Sequence, residues 1–194
     1  MIKKICHHQM LKRGWRFINN VPEEIRSFVV IGAPHTSNWD FFAAMFAFYN
    51  LDQKGYTTRF VIKKEWTEFP FTSLMKSVGA WGLDREKVAS GQFTNTTDLM
   101  SSFFKEEKNL ILAIAPEGTR KPTETWKTGF YHTAVKAGVP IVLGFVDYSQ
   151  KVCGLGKIIF PSSFEVDMKE IMSFYQRSWA RIPENYLPDK RFLG

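Results

Sequence analysis

The chain has 194 residues, enough for one domain with a real core, and a composition of 44% hydrophobic and 23% charged residues that argues against a disordered or fibrous protein. A formal charge of +7 favours anionic partners: nucleic acid, anionic lipid, phosphorylated substrates or an acidic carrier protein. Cys6 and Cys153 are isolated and lack CxxC spacing, so a reduced, cytoplasmic protein is the simplest expectation. The longest unbroken apolar run, residues 41–49, falls far short of the roughly 20 residues that cross a bilayer. Nor does the N-terminus read as a signal peptide, so any work at a membrane is expected from its surface.

Residues 2–18 read as a basic amphipathic helix, with Ile2, Ile5, Met10, Leu11, Trp15 and Ile18 set among Lys, Arg and His. Such a segment either lies among lipid headgroups or packs on the domain with a solvated outer face. Residues 1–28 carry Lys3, Lys4, Lys12, Arg13, Arg16 and Arg26 against only Glu23 and Glu24, so more than half of the excess charge sits here. Ser27–Gly32 is a β-branched run that enters Gly32-Ala33-Pro34, a buried strand ending in a turn. Ser37 or Asn38 then caps a helix from about Trp39 to Leu51, apolar on every side and therefore central in the core or partly lipid-facing. Thr57–Ile62 is a second strand, residues 66–78 a helix closed by Gly79, and Ala80–Leu83 a short strand. Residues 95–108 form a helix, Leu110–Ala115 the clearest buried strand, and Lys127–Ala137 a helix closed by Gly138. Ile141–Val146 and the weaker Lys157–Phe160 are further strands, and Asp167 with Glu170 marks a last helix reaching about Ala180. Alternating strands and helices, without repeats or a linker, predict a single α/β domain: a mostly parallel central sheet with helices on both faces. The expected organisation is an amphipathic segment over 1–26, the α/β domain over 27–182 and an irregular polar tail over 183–194.

Two polar groups stand where such sheets bind ligands, at the carboxyl ends of predicted strands. The first is His35-Thr36-Ser37-Asn38-Trp39-Asp40. Residues five apart do not share a helical face, so His35 and Asp40 meet only if His35 lies in the turn and Asp40 in the first helical turn. A neutral imidazole can take a proton from an attacking hydroxyl, and a carboxylate on its other nitrogen fixes the tautomer. Ser37-x-x-Asp40 is equally a helix-capping pattern that needs no catalytic role. The second group is Pro116-Glu117-Gly118-Thr119-Arg120: glycine permits a tight turn, and arginine forks onto phosphate or carboxylate. Between them lie Lys63-Lys64 and Asp84-Arg85, cations that can converge on the same anion or simply be solvated.

Together these residues resemble a known family. His35 and Asp40 match an HX4D signature and Glu117–Arg120 an EGTR block, in the order and separation found in the 1-acylglycerol-3-phosphate (lysophosphatidic acid) acyltransferases among the glycerolipid acyltransferases. The stretch from Lys64-Glu65 to Asp84-Arg85 is similar to the family's second block, and Lys127-Thr128-Gly129 with Gly138-Val139-Pro140-Ile141-Val142 to its fourth. The resemblance spans about residues 28–147, and the HTSNWD wording resembles compact bacterial members. It departs where Leu143 replaces a second proline and where relatives have an apolar N-terminal anchor. The resemblance implies a glycerolipid-acyltransferase-like fold, with His35 as general base and Asp40 as its partner. It implies that Glu117, Gly118, Thr119 and Arg120 bind the glycerol phosphate, with Arg85 and Lys64 as further phosphate contacts. Acyl-CoA or acyl-ACP would be the donor, a lysophospholipid the acceptor, and no metal or prosthetic group is implied. The expected location is the cytoplasmic face of an anionic membrane, held peripherally. Alternatives are another lysolipid or amino-acid-lipid acceptor, or a non-catalytic lipid-binding protein. A nucleic-acid-binding domain has only the charge in its favour, and a serine hydrolase lacks a G-x-S-x-G elbow.

Overall fold

The computed structural model describes residues 1–70, 72–83, 86–91 and 93–193. Within them seven strands form one sheet: β1 (Arg16–Asn19), β2 (Phe28–Ala33), β3 (Thr57–Lys63), β4 (Ala80–Leu83), β5 (Leu110–Ile114), β6 (Ile141–Asp147) and β7 (Val152–Ile159). The order across the sheet is β1-β7-β6-β2-β5-β3-β4, and every neighbouring pair is parallel except the β6–β7 hairpin. Central strands bury both faces, which explains why Phe28–Ile31 and Leu110–Leu112 read as continuous apolar runs without alternation.

Helices α1 (Ile2–Lys12), α2 (Asp40–Asp52) and α3 (Thr72–Val78) lie on one side of the sheet. Helices α5 (Thr96–Glu106), α6 (Gly129–Ala137) and α7 (Phe164–Phe174) cover the other, and a one-turn α4 (Glu86–Ala89) follows β4. Alternate residues of β2 serve the two layers. Val29, Ile31 and Ala33 pack with Phe130 and Ala134 of α6 and Met168 and Ile171 of α7, while Phe28 and Val30 pack with Leu51 of α2. The expected α/β architecture with a mostly parallel sheet, helices on both faces and a helix at the N-terminus is what the chain adopts.

Four local readings change. The basic N-terminal helix stops at Lys12, because Gly14 turns the chain with φ +80° and residues 16–19 join the sheet edge beside β7. The all-apolar α2 is explained by α1, which lies across its outer side: Cys6 packs with Met45 and Phe48, and Met10 with Ala43 and Phe46. The Lys3 ammonium fastens this layer, donating to Asp52 Oδ2 and Thr58 Oγ1 at 2.8 Å each. Residues 66–78 divide into a 3₁₀ turn (Lys64–Thr67) and α3. The last helix runs from Phe164 only to Phe174, and β7 begins five residues before the weak strand expected at Lys157.

The segment after α7 is not a loose tail. It runs through 3₁₀ turns at Arg177–Trp179, Pro183–Asn185 and Lys190–Phe192 and buries Tyr186, Asp189 and Phe192. Asp189, with no exposed surface, accepts from Trp126 N at 2.8 Å and from its own neighbour Arg191. A buried carboxylate satisfied in this way fixes the segment against the loop that follows β5.

Candidate active site

Four strand ends meet at the carboxyl edge of the parallel strands: β2 leads to the His35 loop, β5 to Glu117, β6 to Tyr148 and β3 to Lys64. The histidine and aspartate meet as their offset required. Helix α2 begins at Asp40, His35 lies in the preceding turn, and His35 Nδ1 is 3.1 Å from Asp40 Oδ2. The same Oδ2 accepts from Thr36 N and Ser37 N, both at 2.9 Å. The helix has Trp39 at its N-cap position with no side-chain cap, so the expected Ser37 or Asn38 cap is absent; the Asp40 carboxylate instead ties the turn together and meets the imidazole through one oxygen. Ser37 adds to the turn by accepting from Trp39 N at 3.2 Å. With Nδ1 engaged, Nε2 is the ring nitrogen left for a substrate, and the His35 side chain is 27% exposed while that of Asp40 is 8% exposed.

Asp40 Oδ1 accepts from Tyr148 Oη at 2.7 Å. Burial first, and then the Asp40 charge and hydrogen bond, push the Tyr148 phenol far above its ordinary range, so it remains a donor. Nothing in the local sequence marked Tyr148; it follows β6, 108 positions from Asp40, and only strand order brings it here. Tyr148→Phe leaves Oδ1 buried without its donor, a loss of about 1–2 kcal/mol. We expect the variant to fold and to melt about 2–8 °C below wild type, as read from thermal melts.

Glu117 is 3% exposed and accepts from His35 N at 2.7 Å through Oε1. The two sequence motifs are thus physically joined, with the glutamate of one holding the backbone of the other. Burial raises the Glu117 carboxyl to about 7, although the His35 N–H and the His35 side chain pull the other way; Asp40 adds to the rise. The hydroxyls of Tyr175 and Tyr186 lie within the field of the same carboxylate, and Tyr186 Oη is buried without a partner among the described residues. Gly118 takes φ +66°, where a side chain is strained, and a Cβ there would also meet Lys127 Cε and Nζ at 2.8 Å. Lys127 therefore lies over the turn, a cation beside the motif that sequence reading placed in a separate block. Thr119 Oγ1 accepts from Lys121 N at 3.1 Å, and the exposed Arg120 has no hydrogen bond or ion pair among the described residues.

The other expected contacts divide. The Lys64 ammonium is 2.7 Å from Glu86 Oε2, at the β3 end of the same edge. Arg85 lies outside the described residues. Of the apolar residues after the histidine motif, Met45 and Phe46 are core, whereas Phe42 is 42% exposed and stacks near Trp39 at 5.2 Å. The C-terminal segment supplies a further neighbour: Ile182 N donates to Thr36 Oγ1 at 3.3 Å, Asn185 Nδ2 reaches Thr36 O at 3.5 Å, and Arg181 covers Trp39 and Tyr148.

The sequence profile of the family described as Acyltransferase matches residues 15–142, which take in both motifs and well over half of the chain. The chain belongs to the acyltransferase family. No curated protein matches its sequence significantly. Among solved structures it is similar to the 1-acyl-sn-glycerophosphate (LPA) acyltransferase PlsC from Thermotoga maritima, with a TM-score of 0.57 and 16% identity over 92% of this chain and 77% of that one. At that identity the likeness speaks for the fold of this acyltransferase-family chain, and the acceptor is a separate question. Among the described residues no helix is long and apolar enough to cross a membrane.

Proposed function

We propose that the chain transfers a fatty acyl group from an acyl thioester, acyl-CoA or acyl-ACP, to the hydroxyl of a lysophospholipid-type acceptor, with 1-acylglycerol-3-phosphate as the acceptor. The observation that carries this reading is the His35–Asp40 contact, which engages Nδ1 and leaves Nε2 of a partly exposed imidazole without a hydrogen bond among the described residues. The acceptor oxygen attacks the thioester carbonyl while His35 Nε2 takes its proton, and Asp40 stabilises the imidazolium. Collapse of the tetrahedral intermediate forms the ester, breaks the carbon–sulfur bond and returns the proton to the departing thiolate. Arg120, with Lys127 beside Gly118, supplies the positive charge for the acceptor phosphate. Arg85 and Lys64 are proposed as further phosphate contacts.

The reading places the protein peripherally on the cytoplasmic face of an anionic membrane. In its support, α1 packs through Cys6 and Met10 yet leaves Met1, Ile5 and Leu11 exposed among Lys4, Lys12 and Arg13. The test is purified protein with radiolabelled palmitoyl-CoA or palmitoyl-ACP and a panel of lysolipids in anionic vesicles. We expect label in phosphatidate and salt-sensitive cosedimentation with the vesicles. Vesicle binding without product from any lysolipid would leave a lipid-binding protein and sink the enzyme reading.

A further inference from the structure

Arg181 is held unlike the other exposed cations near the site. Its guanidinium carbon lies 5.1 Å from the Trp39 ring centre and 5.5 Å from that of Tyr148, so two aromatic faces bracket it. It has no hydrogen bond or ion pair among the described residues, and its N–H donors are unspent. The chain on either side is pinned. Tyr148 N donates to Trp179 O at 3.0 Å just before it, and Ile182 N donates to Thr36 Oγ1 just after it. The cation–π contacts hold the guanidinium without using its donors, which leaves its fork available to a phosphate through two oxygens.

Its place in the sheet assigns the ligand. Arg120 and Lys127 belong to the loop after β5, on one flank of β2, whereas Arg181 rests on Tyr148 at the end of β6, on the other flank. His35 lies between. Both rings under Arg181 belong to the dyad's surroundings: Trp39 within the histidine motif, and Tyr148 bonded to Asp40. A reaction at His35 brings together two substrates, and the cations on the β5 flank already serve the acceptor. The donor, whether bound to coenzyme A or to a carrier protein, carries a phosphate separated from its thioester by the long pantetheine arm.

Resting on the acyl-transfer reading above, we propose that Arg181, held between Trp39 and Tyr148, is a phosphate subsite for the pantetheine arm of the acyl donor. The experiment compares wild type, Arg181→Ala and Arg181→Lys with three palmitoyl thioesters: palmitoyl-CoA, palmitoyl-ACP and palmitoyl-N-acetylcysteamine, which has no phosphate. Each is paired with a phosphorylated lysolipid and with its phosphate-free monoacylglycerol counterpart. For R181A, KM for the phosphate-bearing donor should rise about tenfold or more, while KM for the truncated thioester and for either acceptor stays at the wild-type value. R181K should recover part of the loss, since the charge remains but the fork is gone. Equal effects on all donors, no effect, or an effect confined to the phosphorylated acceptor would each overturn the assignment while acyl transfer stands. Failure of wild type with every donor and lysolipid would overturn the acyl-transfer reading and this proposal with it.

Discussion

Replacing His35 with alanine is expected to lower the rate of acyl transfer by at least about a hundredfold, the contribution of a positioned general base. The melting temperature should change little, because the side chain is partly exposed and Asp40 retains its donors from Thr36 N, Ser37 N and Tyr148 Oη. Asp40→Asn makes the informative companion. The two backbone N–H groups on Oδ2 can only donate, so they hold the asparagine oxygen at that position and keep it facing His35 Nδ1. Its amide nitrogen then faces Tyr148 Oη, which can accept as well as donate. Tautomer and ring orientation survive while the negative charge is lost, so D40N should retain more activity than H35A. Steady-state kinetics on the two variants separates orientation from charge. Full activity in H35A would sink the general-base mechanism, and full activity in D40N would remove the charge from it.

How much of this could be read from residue order follows from how local each signal was. The buried strands Phe28–Ala33 and Leu110–Ile114 and the Gly138 helix stop were legible because their signatures lie within a few residues. So was the turn-then-helix placement of His35 and Asp40, since the five-residue offset admitted no other meeting. The edge strand Arg16–Asn19 was hidden inside helical periodicity, because its pairing partner, Val152–Leu155, is over 130 residues away. Much of β7 was missed for a different reason: Gly154 and Gly156 weaken the strand signature where backbone and the Phe174 ring approach closely. The C-terminal segment looked polar, yet one of its charges, Asp189, is fully buried.

A second aspartate shows why the motif alone underdetermined the site. Asp167, near the start of α7, accepts from Ser162 N, Ser163 N and Tyr131 Oη. Asp40 likewise accepts from two backbone N–H groups and a tyrosine hydroxyl, whereas Asp167 also takes the Ser162 hydroxyl. At Asp167 the arrangement only starts a helix and locks it to α6. What distinguishes Asp40 is the imidazole on the same oxygen and its place at the carboxyl edge of the sheet. Tyr148 and Arg181 reach that edge from β6 and from beyond α7, so no local spacing could have assigned them.

Glu117→Gln is expected to change how stability depends on pH more than it changes stability at any single acidic pH. The carboxyl titrates at about 7 in the folded chain, mainly because burial disfavours its charge, and near 4.5 when exposed. The folded state therefore holds the proton more tightly. Its stabilising contribution is complete below about pH 4.5 and is lost as pH rises through 7, a loss of about 3 kcal/mol. Glutamine does not titrate, but its amide oxygen can still accept from His35 N. Thermal melts of wild type and E117Q from pH 5 to 8.5 should diverge, with wild type losing roughly 5–10 °C more than the variant across that range, since part of the loss has already occurred by pH 5. Parallel curves would show that the carboxyl is not held in its buried, neutral-favouring place. Activity adds a second axis. If Glu117 acts by holding the His35 backbone, E117Q should remain within a few-fold of wild type at pH 7, and Glu117→Ala should lose kcat because His35 N is left unpaired. If the carboxylate instead grips the acceptor, as the family resemblance implies, E117Q should raise the acceptor KM and leave kcat in place. The 2.7 Å bond from His35 N favours the first outcome, since it ties the loop after β5 to the backbone of His35.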